Sequence, residues 1–102
     1  MLIRLLFAIS LVFSFVGCQS TPRPIEEYAL ARAALDAAKE VQAARYASGH
    51  WHQADEAYRQ GVAYYEDRDW AYAKEEFIKA RIAAEKAENA ARLIRQKTGE
   101  IL

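Results

Sequence analysis

The chain has 102 residues, enough for one small domain, and its 14 lysines and arginines balance 14 aspartates and glutamates. This neutral balance argues against a nucleic-acid binder, whose electrostatic footprint is a basic patch. Alanine is abundant, charges of both signs are interspersed, and glycine and proline are scarce, which is typical of a helical protein. The single cysteine cannot form an internal disulfide bond, so its position needs an explanation.

The first residues, MLIRLLFAISLVFSFVGC, have the layout of a signal peptide. Arg4 provides a positive start, and an apolar run follows from Leu5 to Val16. A membrane-spanning helix needs about 20 apolar residues, so this run is too short for one. We expect residues 1–17 to be a cleaved export signal; the alternative is an uncleaved N-terminal anchor in which Cys18 has no role.

The end of the apolar run, Phe15-Val16-Gly17-Cys18, resembles a bacterial lipobox, in which a small residue precedes an invariant cysteine. Gly17 fits that pattern, whereas Phe15 replaces the usual leucine. The resemblance implies that Cys18 becomes the N-terminus and carries a covalent diacylglyceryl group. Because Gln19 follows and not aspartate, the resemblance also implies an outer-membrane location, with the domain facing the periplasm.

A polar linker that contains both prolines occupies residues 18–24, beginning at the lipidated cysteine. Proline fixes φ and disfavours helix before it, so we expect an extended segment here. Six extended residues reach roughly 20 Å, which would tether the following domain close to the bilayer.

Apolar residues at three- and four-residue spacing predict three helices, at about 24–47, 50–67 and 70–96. Pro24 suits the first turn of a helix, where its missing N–H is not needed. We expect an all-α fold of three antiparallel helices that together form one domain over residues 25–98.

Breaks between these helices are predicted from their turn residues. Gly49 can adopt a left-handed conformation and Ser48 can cap the second helix. The sequence EDRD forms the second turn, with Asp69 as the N-cap of the third helix. Gly99 marks the end of that helix.

Each predicted helix carries apolar stripes. The first has two adjacent ones: Leu30, Ala34, Ala37, Val41 and Ala44 beside Tyr28, Ala31, Leu35 and Ala38. The other two have one each: Trp51, Ala54, Tyr58, Gly61 and Tyr65, then Trp70, Ala73, Phe77, Ala80, Ala84, Ala87, Ala91 and Ile94. The alternation of aromatic and small residues predicts helices that pack closely.

The second and third helices begin with the same pattern. Trp51-x2-Ala54-x3-Tyr58-x2-Gly61 recurs as Trp70-x2-Ala73-x3-Phe77-x2-Ala80. The stretch YYEDRDWAYAKEEFIKA resembles the inter-helix turn and second helix of a tetratricopeptide repeat, although Arg68 stands where glycine is usual and no closing proline follows. An array needs about three repeats, so the resemblance implies one helical hairpin with this packing and no peptide-binding superhelix.

Residues 18–95 together resemble an alanine-rich family of short bacterial envelope lipoproteins that is defined only as a domain of unknown function. The matching features are Cys18, the alanine-rich residues 29–44, the step Tyr46-Ala47-Ser48 and the turn Arg68-Asp69-Trp70. Because the role of that family is undefined, the resemblance implies location and architecture and says little about activity.

Candidate metal and catalytic residues are few. His50 and His52 do not share a helix face, and no further histidine or free cysteine accompanies them. The carboxylates of residues 66–69 lack the spacing and glycine of a calcium loop. No nucleophile is paired with a base and there is no glycine-rich phosphate loop. We therefore expect no metal, no enzymatic activity and no cofactor besides the lipid on Cys18.

Two groups of residues are candidates for a partner surface. Tyr46, Tyr64 and Tyr72 lie off the core stripes, and Leu93 and Ile94 lie where the long third helix outruns the second. Exposed apolar residues of this kind mark interaction sites. The alanines at 84, 87 and 91 would also be uncovered there unless the first helix or another chain packs on them.

These features favour a lipid-anchored periplasmic helical adaptor or structural module that binds another envelope protein or a second copy of itself. The alternative is an accessory protein that binds peptidoglycan or another glycan through exposed aromatic residues. A third possibility is a lipid-tethered subunit that regulates an envelope enzyme. We expect no nucleic-acid partner.

Overall fold

A computed structural model describes residues 1–6 and 21–99, and every regular element within them is a helix. The all-α prediction is therefore confirmed. Residues 2–6 are helical, and four helices follow: α1 (Ile25–Glu40), α2 (Ala43–Tyr46), α3 (Ser48–Glu66) and α4 (Trp70–Lys97). The described ranges thus contain five helical segments where the sequence analysis predicted three helices.

The helix predicted over 24–47 is divided in two, because the chain turns at Val41 and Gln42. Gln42 adopts the left-handed conformation, with φ of 58°, and its N–H donates to the carbonyl of Lys39. The turn allows apolar residues on both sides of it, Val41 and Ala43, to be buried in one cluster with the C-terminal half of α4. Tertiary packing therefore outweighs the helical propensity of this segment.

The break predicted around Gly49 is wrong in its details. Gly49 lies within α3 without a positive φ, and Ser48 is the first residue of that helix instead of its cap. Ala47 occupies the N-cap position and provides no side-chain hydrogen bond. Asp69 does occupy the N-cap position of α4, as predicted, but its side chain makes no capping hydrogen bond either.

The alanine stripe of α4 forms the centre of the core. Its members have no exposed surface: Ala73, Ala80, Ala84, Ala87 and Ala91. Small side chains let helix axes approach closely. Ala87 and Ala91 pack with Ala38, Val41 and Ala43. The end of α1 and the start of α2 therefore cover the part of α4 that extends beyond α3.

Three residues of the predicted stripes are exposed. Leu30 is 47% exposed, Ala44 is also exposed, and Ile94 is 39% exposed at the end of the α4 stripe. The stripe of α1 that does face the core is the neighbouring one, which includes Ala31, Leu35 and Ala38. One of the two adjacent stripes of α1 is therefore enough to pack against α4.

Phe77 is the largest fully buried side chain among the described residues and lies at the centre of an aromatic cluster. Its ring centroid is 4.6 Å from that of Tyr28, 5.9 Å from that of Tyr58 and 6.3 Å from that of Tyr65. The buried Gly61 of α3 lies directly against the Phe77 ring. The cluster therefore joins α1, α3 and α4 at one place.

The α3–α4 turn carries a residue in a costly conformation. Arg68, which stands where a tetratricopeptide-like turn would have glycine, has φ of 61°. A non-glycine residue in this region costs roughly 1–2 kcal/mol. The Asp69 N–H, by contrast, donates to the carbonyl of Tyr64 at 2.9 Å, so the turn is closed by a hydrogen bond.

Arg68→Gly is expected to raise the free energy of unfolding by about 1 kcal/mol, because glycine adopts this φ without steric conflict. Urea denaturation followed by circular dichroism measures the change. Arg68→Ala removes the same side chain but keeps the unfavourable φ, so it should give no gain. Equal stability of the two variants would contradict the explanation.

Ion pairs lie on the outer faces of the helices. Two of them join residues four apart on α4, with 3.8 Å between Lys79 and Glu75 and 2.9 Å between Arg92 and Glu88. Exposed pairs of this type contribute about 0.3–0.5 kcal/mol each. They support helix formation and do not determine the fold.

Candidate partner surfaces

The five predicted surface residues fall into two groups at opposite ends of α4. Tyr64 and Tyr72 lie beside the α3–α4 turn, which we call the turn end. Leu93 and Ile94 lie in the last turns of α4, and Tyr46 lies beside them; we call this the far end. Tyr72 and Leu93 are separated by about 32 Å along the helix axis. The structure therefore does not combine the five residues into one surface.

At the turn end, the rings of Tyr64 and Tyr72 stack, with centroids 5.3 Å apart and planes 28° from parallel. Tyr72 is 61% exposed, whereas Tyr64 is partly buried against the core. Because each ring covers one face of the other, the stack leaves the outer face of Tyr72 accessible. That face is the part of the pair on which a sugar or a peptide could stack.

At the far end, Leu93 is 57% exposed and Ile94 is 39% exposed. They follow Ala91, which has no exposed surface, so the transition from buried core to exposed apolar side chains is abrupt. Tyr46 is partly buried and packs on the cluster that contains Ala87 and Ala91. Leu93 and Ile94 are therefore the accessible apolar part of this end.

Positive charge surrounds the far end. The guanidinium carbons of Arg45 and Arg95 lie 5.1 and 5.7 Å from the centroid of the Tyr46 ring, within the range of a cation–π interaction. Arg95 and Lys97 stand in the last turn of α4, where cations also interact favourably with the helix dipole. An apolar patch with cations around it is complementary to a surface that carries apolar and acidic groups.

The aromatic cluster contains a tyrosine, Tyr58, whose pKa is raised by its surroundings. Burial raises the pKa of Tyr58 above its ordinary value of 10.0, and the hydrogen bond and charge of Tyr28 add to this effect. The carboxylate of Asp36 raises the pKa further, and Arg32 opposes the shift. The neutral phenol is therefore the form that the folded state favours.

A raised pKa in the folded state gives a stability contribution that is complete below pH 10 and is lost as the pH rises through the folded pKa. We expect the free energy of unfolding to decrease from about pH 10 upward. Tyr58→Phe should flatten this alkaline decrease, since its ring no longer titrates. Urea titrations at pH 8 to 11 measure both proteins; parallel curves would contradict the assignment to Tyr58.

Within the described part of the chain, neither histidine belongs to a cluster of metal-binding side chains. His50 and His52 are both exposed at the start of α3. Over residues 1–6 and 21–99, no group of three or more histidine, aspartate, glutamate or cysteine side chains is placed to hold a metal ion.

The sequence analysis predicted neither two exposed isoleucines nor a contact between the linker and α4. Ile25 at the start of α1 is 64% exposed, and Ile82 in the middle of α4 is 43% exposed. Arg23 of the linker lies over the ring of Trp70, with its guanidinium carbon 5.1 Å from the centroid. A linker residue that docks on a helix leaves no periodic signal in the sequence, so only the structure reveals this contact.

The predicted lipidation residue Cys18 and the lipobox residues Phe15, Val16 and Gly17 lie outside the described residues. Among the helices that the structure does describe, none combines the length and the apolar character that a bilayer crossing requires.

The chain was also compared with protein-family models, with curated proteins and with solved structures, and none of the three comparisons gave a significant match.

Proposed function

We propose that this chain is a lipid-anchored periplasmic adaptor or structural module of the bacterial cell envelope. In this proposal Cys18 carries the covalent lipid that holds the domain at the outer membrane. The far end, through Leu93 and Ile94, binds another envelope protein or a second copy of the chain. The chain performs no catalysis and uses no cofactor other than that lipid.

The observation that carries the proposal is the exposure of Leu93 and Ile94 directly after a fully buried alanine stripe. α3 begins only at Ser48, and Tyr46 of α2 contacts Arg95 of α4 but leaves Leu93 and Ile94 exposed. Because the two side chains are only about half exposed, their complete burial would gain about 1 kcal/mol each.

The proposed architecture is three antiparallel helices with tetratricopeptide-like packing, in which α1 and α2 together act as the first helix. The contacts between α3 and α4 support an antiparallel arrangement. Gly61 faces Phe77, and Tyr64, which comes later in α3, faces Tyr72, which comes earlier in α4. The close approach of a glycine to an aromatic ring also agrees with that type of packing.

The proposed anchor rests on the sequence around Cys18. An apolar run of signal-peptide length ends at Gly17-Cys18, and a polar, proline-containing linker follows. Several acyl chains would hold the domain firmly, because each buried methylene contributes about 0.8 kcal/mol. The mass of the N-terminal peptide tests this part of the proposal: it should begin at Cys18 with attached acyl chains.

The adaptor role predicts a specific effect of surface mutations. Leu93→Glu with Ile94→Glu should reduce crosslinking to the partner about tenfold or more, since two apolar contacts would become carboxylates in a buried interface. Crosslinking in intact cells, followed by capture of the protein, measures the loss. Gln53→Glu with Gln60→Glu adds the same charge at exposed positions of α3, away from Leu93 and Ile94, and should leave crosslinking nearly unchanged.

A second candidate function is the binding of peptidoglycan or another glycan, and the 61% exposure of Tyr72 favours it. In that case Tyr64→Ala with Tyr72→Ala should abolish cosedimentation with purified peptidoglycan, while the Leu93 and Ile94 variant should cosediment normally. If neither pair of substitutions changes either assay, both surfaces are wrongly assigned.

A further inference from the structure

The last residues of the linker are part of the folded domain. Pro24 is buried, and its carbonyl accepts a hydrogen bond from the N–H of Tyr28 at 3.1 Å. The carbonyl of Arg23 accepts one from the N–H of Ile25 at 2.9 Å. The backbone of residues 23–25 is thereby fixed at the start of α1.

The side chain of Arg23 adds a contact to a different helix. Its guanidinium carbon lies 5.1 Å from the ring centroid of Trp70, the first residue of α4. Trp70 is itself held in place by Tyr65, whose ring meets it edge to face at 5.2 Å. Arg23 therefore connects the linker to the turn end, in addition to the backbone hydrogen bonds of α1.

We propose that Arg23 and Trp70 form a tether clamp, which makes the turn end of the domain the membrane-proximal end. This inference rests on the proposed lipidation of Cys18. The clamp fixes the point at which the anchored chain leaves the domain. The far end, with Leu93 and Ile94, is then the end that extends away from the bilayer.

Chain lengths give the scale of this arrangement. The five residues from Cys18 to Pro22 span at most about 18 Å when fully extended. The turn end thus stays within that distance of the anchor, whereas Leu93 lies about 32 Å further along α4 than Tyr72. A partner that binds the far end therefore has its binding site in the periplasm, away from the lipid surface.

The two ends of the domain differ in charge, and on an anionic bilayer this difference would oppose the proposed orientation. The turn carries Glu66, Asp67 and Asp69, whereas the far end carries several cations that an anionic bilayer would attract. In lipid without net charge, the tether clamp alone should determine which end is close to the bilayer. A domain that nevertheless lies with its far end on the lipid would overturn the proposal.

The arrangement can be measured with the lipidated protein in phosphatidylcholine vesicles that contain energy-transfer acceptors on a small fraction of the headgroups. A fluorophore is attached at Tyr72→Cys or at Leu93→Cys; the thioether on Cys18 leaves the introduced cysteine as the free thiol. We expect transfer from position 72 to be at least twofold more efficient than from position 93. Equal transfer, or stronger transfer from position 93, overturns the proposal.

The clamp itself is tested with a spin label at Thr21→Cys in lipidated protein that has no other introduced cysteine. Arg23→Ala should increase the mobility of the label, because it removes the side-chain contact that holds this end of the linker on Trp70. Arg68→Ala removes another exposed arginine at the turn end and should leave the mobility of the label unchanged. If Arg23→Ala and Arg68→Ala behave alike, there is no clamp.

Failure of the proposed lipidation gives a different result from failure of the clamp. Without lipid on Cys18 the protein does not remain with the vesicles and the Cys18 thiol itself reacts with the label. The spin-label comparison can then be repeated in Cys18→Ser protein, where the contact between Arg23 and Trp70 should still restrict residue 21.

Discussion

Phe77→Ala is expected to lower the free energy of unfolding by about 3–5 kcal/mol. Phe77 is the only side chain of its size that is fully buried among the described residues, and three tyrosine rings surround it. The neighbouring helices are fixed by alanine contacts that cannot expand to fill the space. A domain of about 80 residues has a total stability of about 4–12 kcal/mol, so this variant should lie close to unfolding at 25 °C.

Urea denaturation followed by circular dichroism measures this loss, with Phe77→Leu as the matched variant. Leucine keeps an apolar side chain in the site and removes less volume, so it should cost clearly less than alanine. Tyr72→Ala, which removes an exposed ring, should cost at most about 0.5 kcal/mol. A loss of less than 1 kcal/mol for Phe77→Ala would mean that the aromatic cluster does not organise the fold.

Gly61→Ala is expected to destabilise the protein by about 1–3 kcal/mol, the usual cost of overpacking a core. A Cβ atom at this position would lie 2.8 Å from both Cδ1 and Cε1 of Phe77. The ring cannot move away easily, because it has no exposed surface. The clash therefore outweighs the gain of up to about 1 kcal/mol that alanine normally brings within a helix.

The same helix provides the control. A Cβ atom at Gly49 would have no neighbouring atom within 4 Å, so Gly49→Ala should leave stability unchanged or raise it by up to about 1 kcal/mol. The two substitutions should thus shift the urea midpoint in opposite directions. If Gly61→Ala stabilised the protein as well, α3 and α4 would be less closely packed than the structure shows.

Much of the core could be predicted from the spacing of apolar residues. The stripe from Ala73 to Ala91 is buried as expected, because its period matches a helix and small residues allow close packing. Two adjacent stripes on the first helix left its orientation undetermined. The structure shows that the stripe with Leu35 faces the core. In the stripe with Leu30, Ala34 packs on the core and Val41 is buried, but Leu30 is exposed.

The break in the first predicted helix could not be foreseen. Glutamine at position 42 is not a turn residue, and its left-handed φ arises from the packing of Val41 and Ala43 on both sides of it. Gly49 is the residue that sequence rules favour for such a break, yet it lies within α3. The conformational preference of glycine predicted the break at the wrong residue, because the tertiary contacts around Gln42 outweigh local preferences in this segment.

The candidate surface was predicted in part. Exposed Tyr72, Leu93 and Ile94 follow from their positions off the buried stripe or beyond its end. Their separation into two ends depends on the length of α4 and on the placement of α2, which spacing alone does not give. The contact of Arg23 with Trp70 joins residues far apart in the sequence, and no local pattern indicates it.

In the proposed function, a lipid on Cys18 tethers a domain whose far end binds an envelope partner. The most direct measurement places a photoreactive amino acid at position 93 in living cells and identifies what it crosslinks, in the wild-type background and with Cys18→Ser. We expect one specific envelope protein that is captured from position 93, is not captured from position 60 of α3, and is lost with Cys18→Ser. Capture of the same species from both positions and in both backgrounds, or of muropeptides alone, would contradict it.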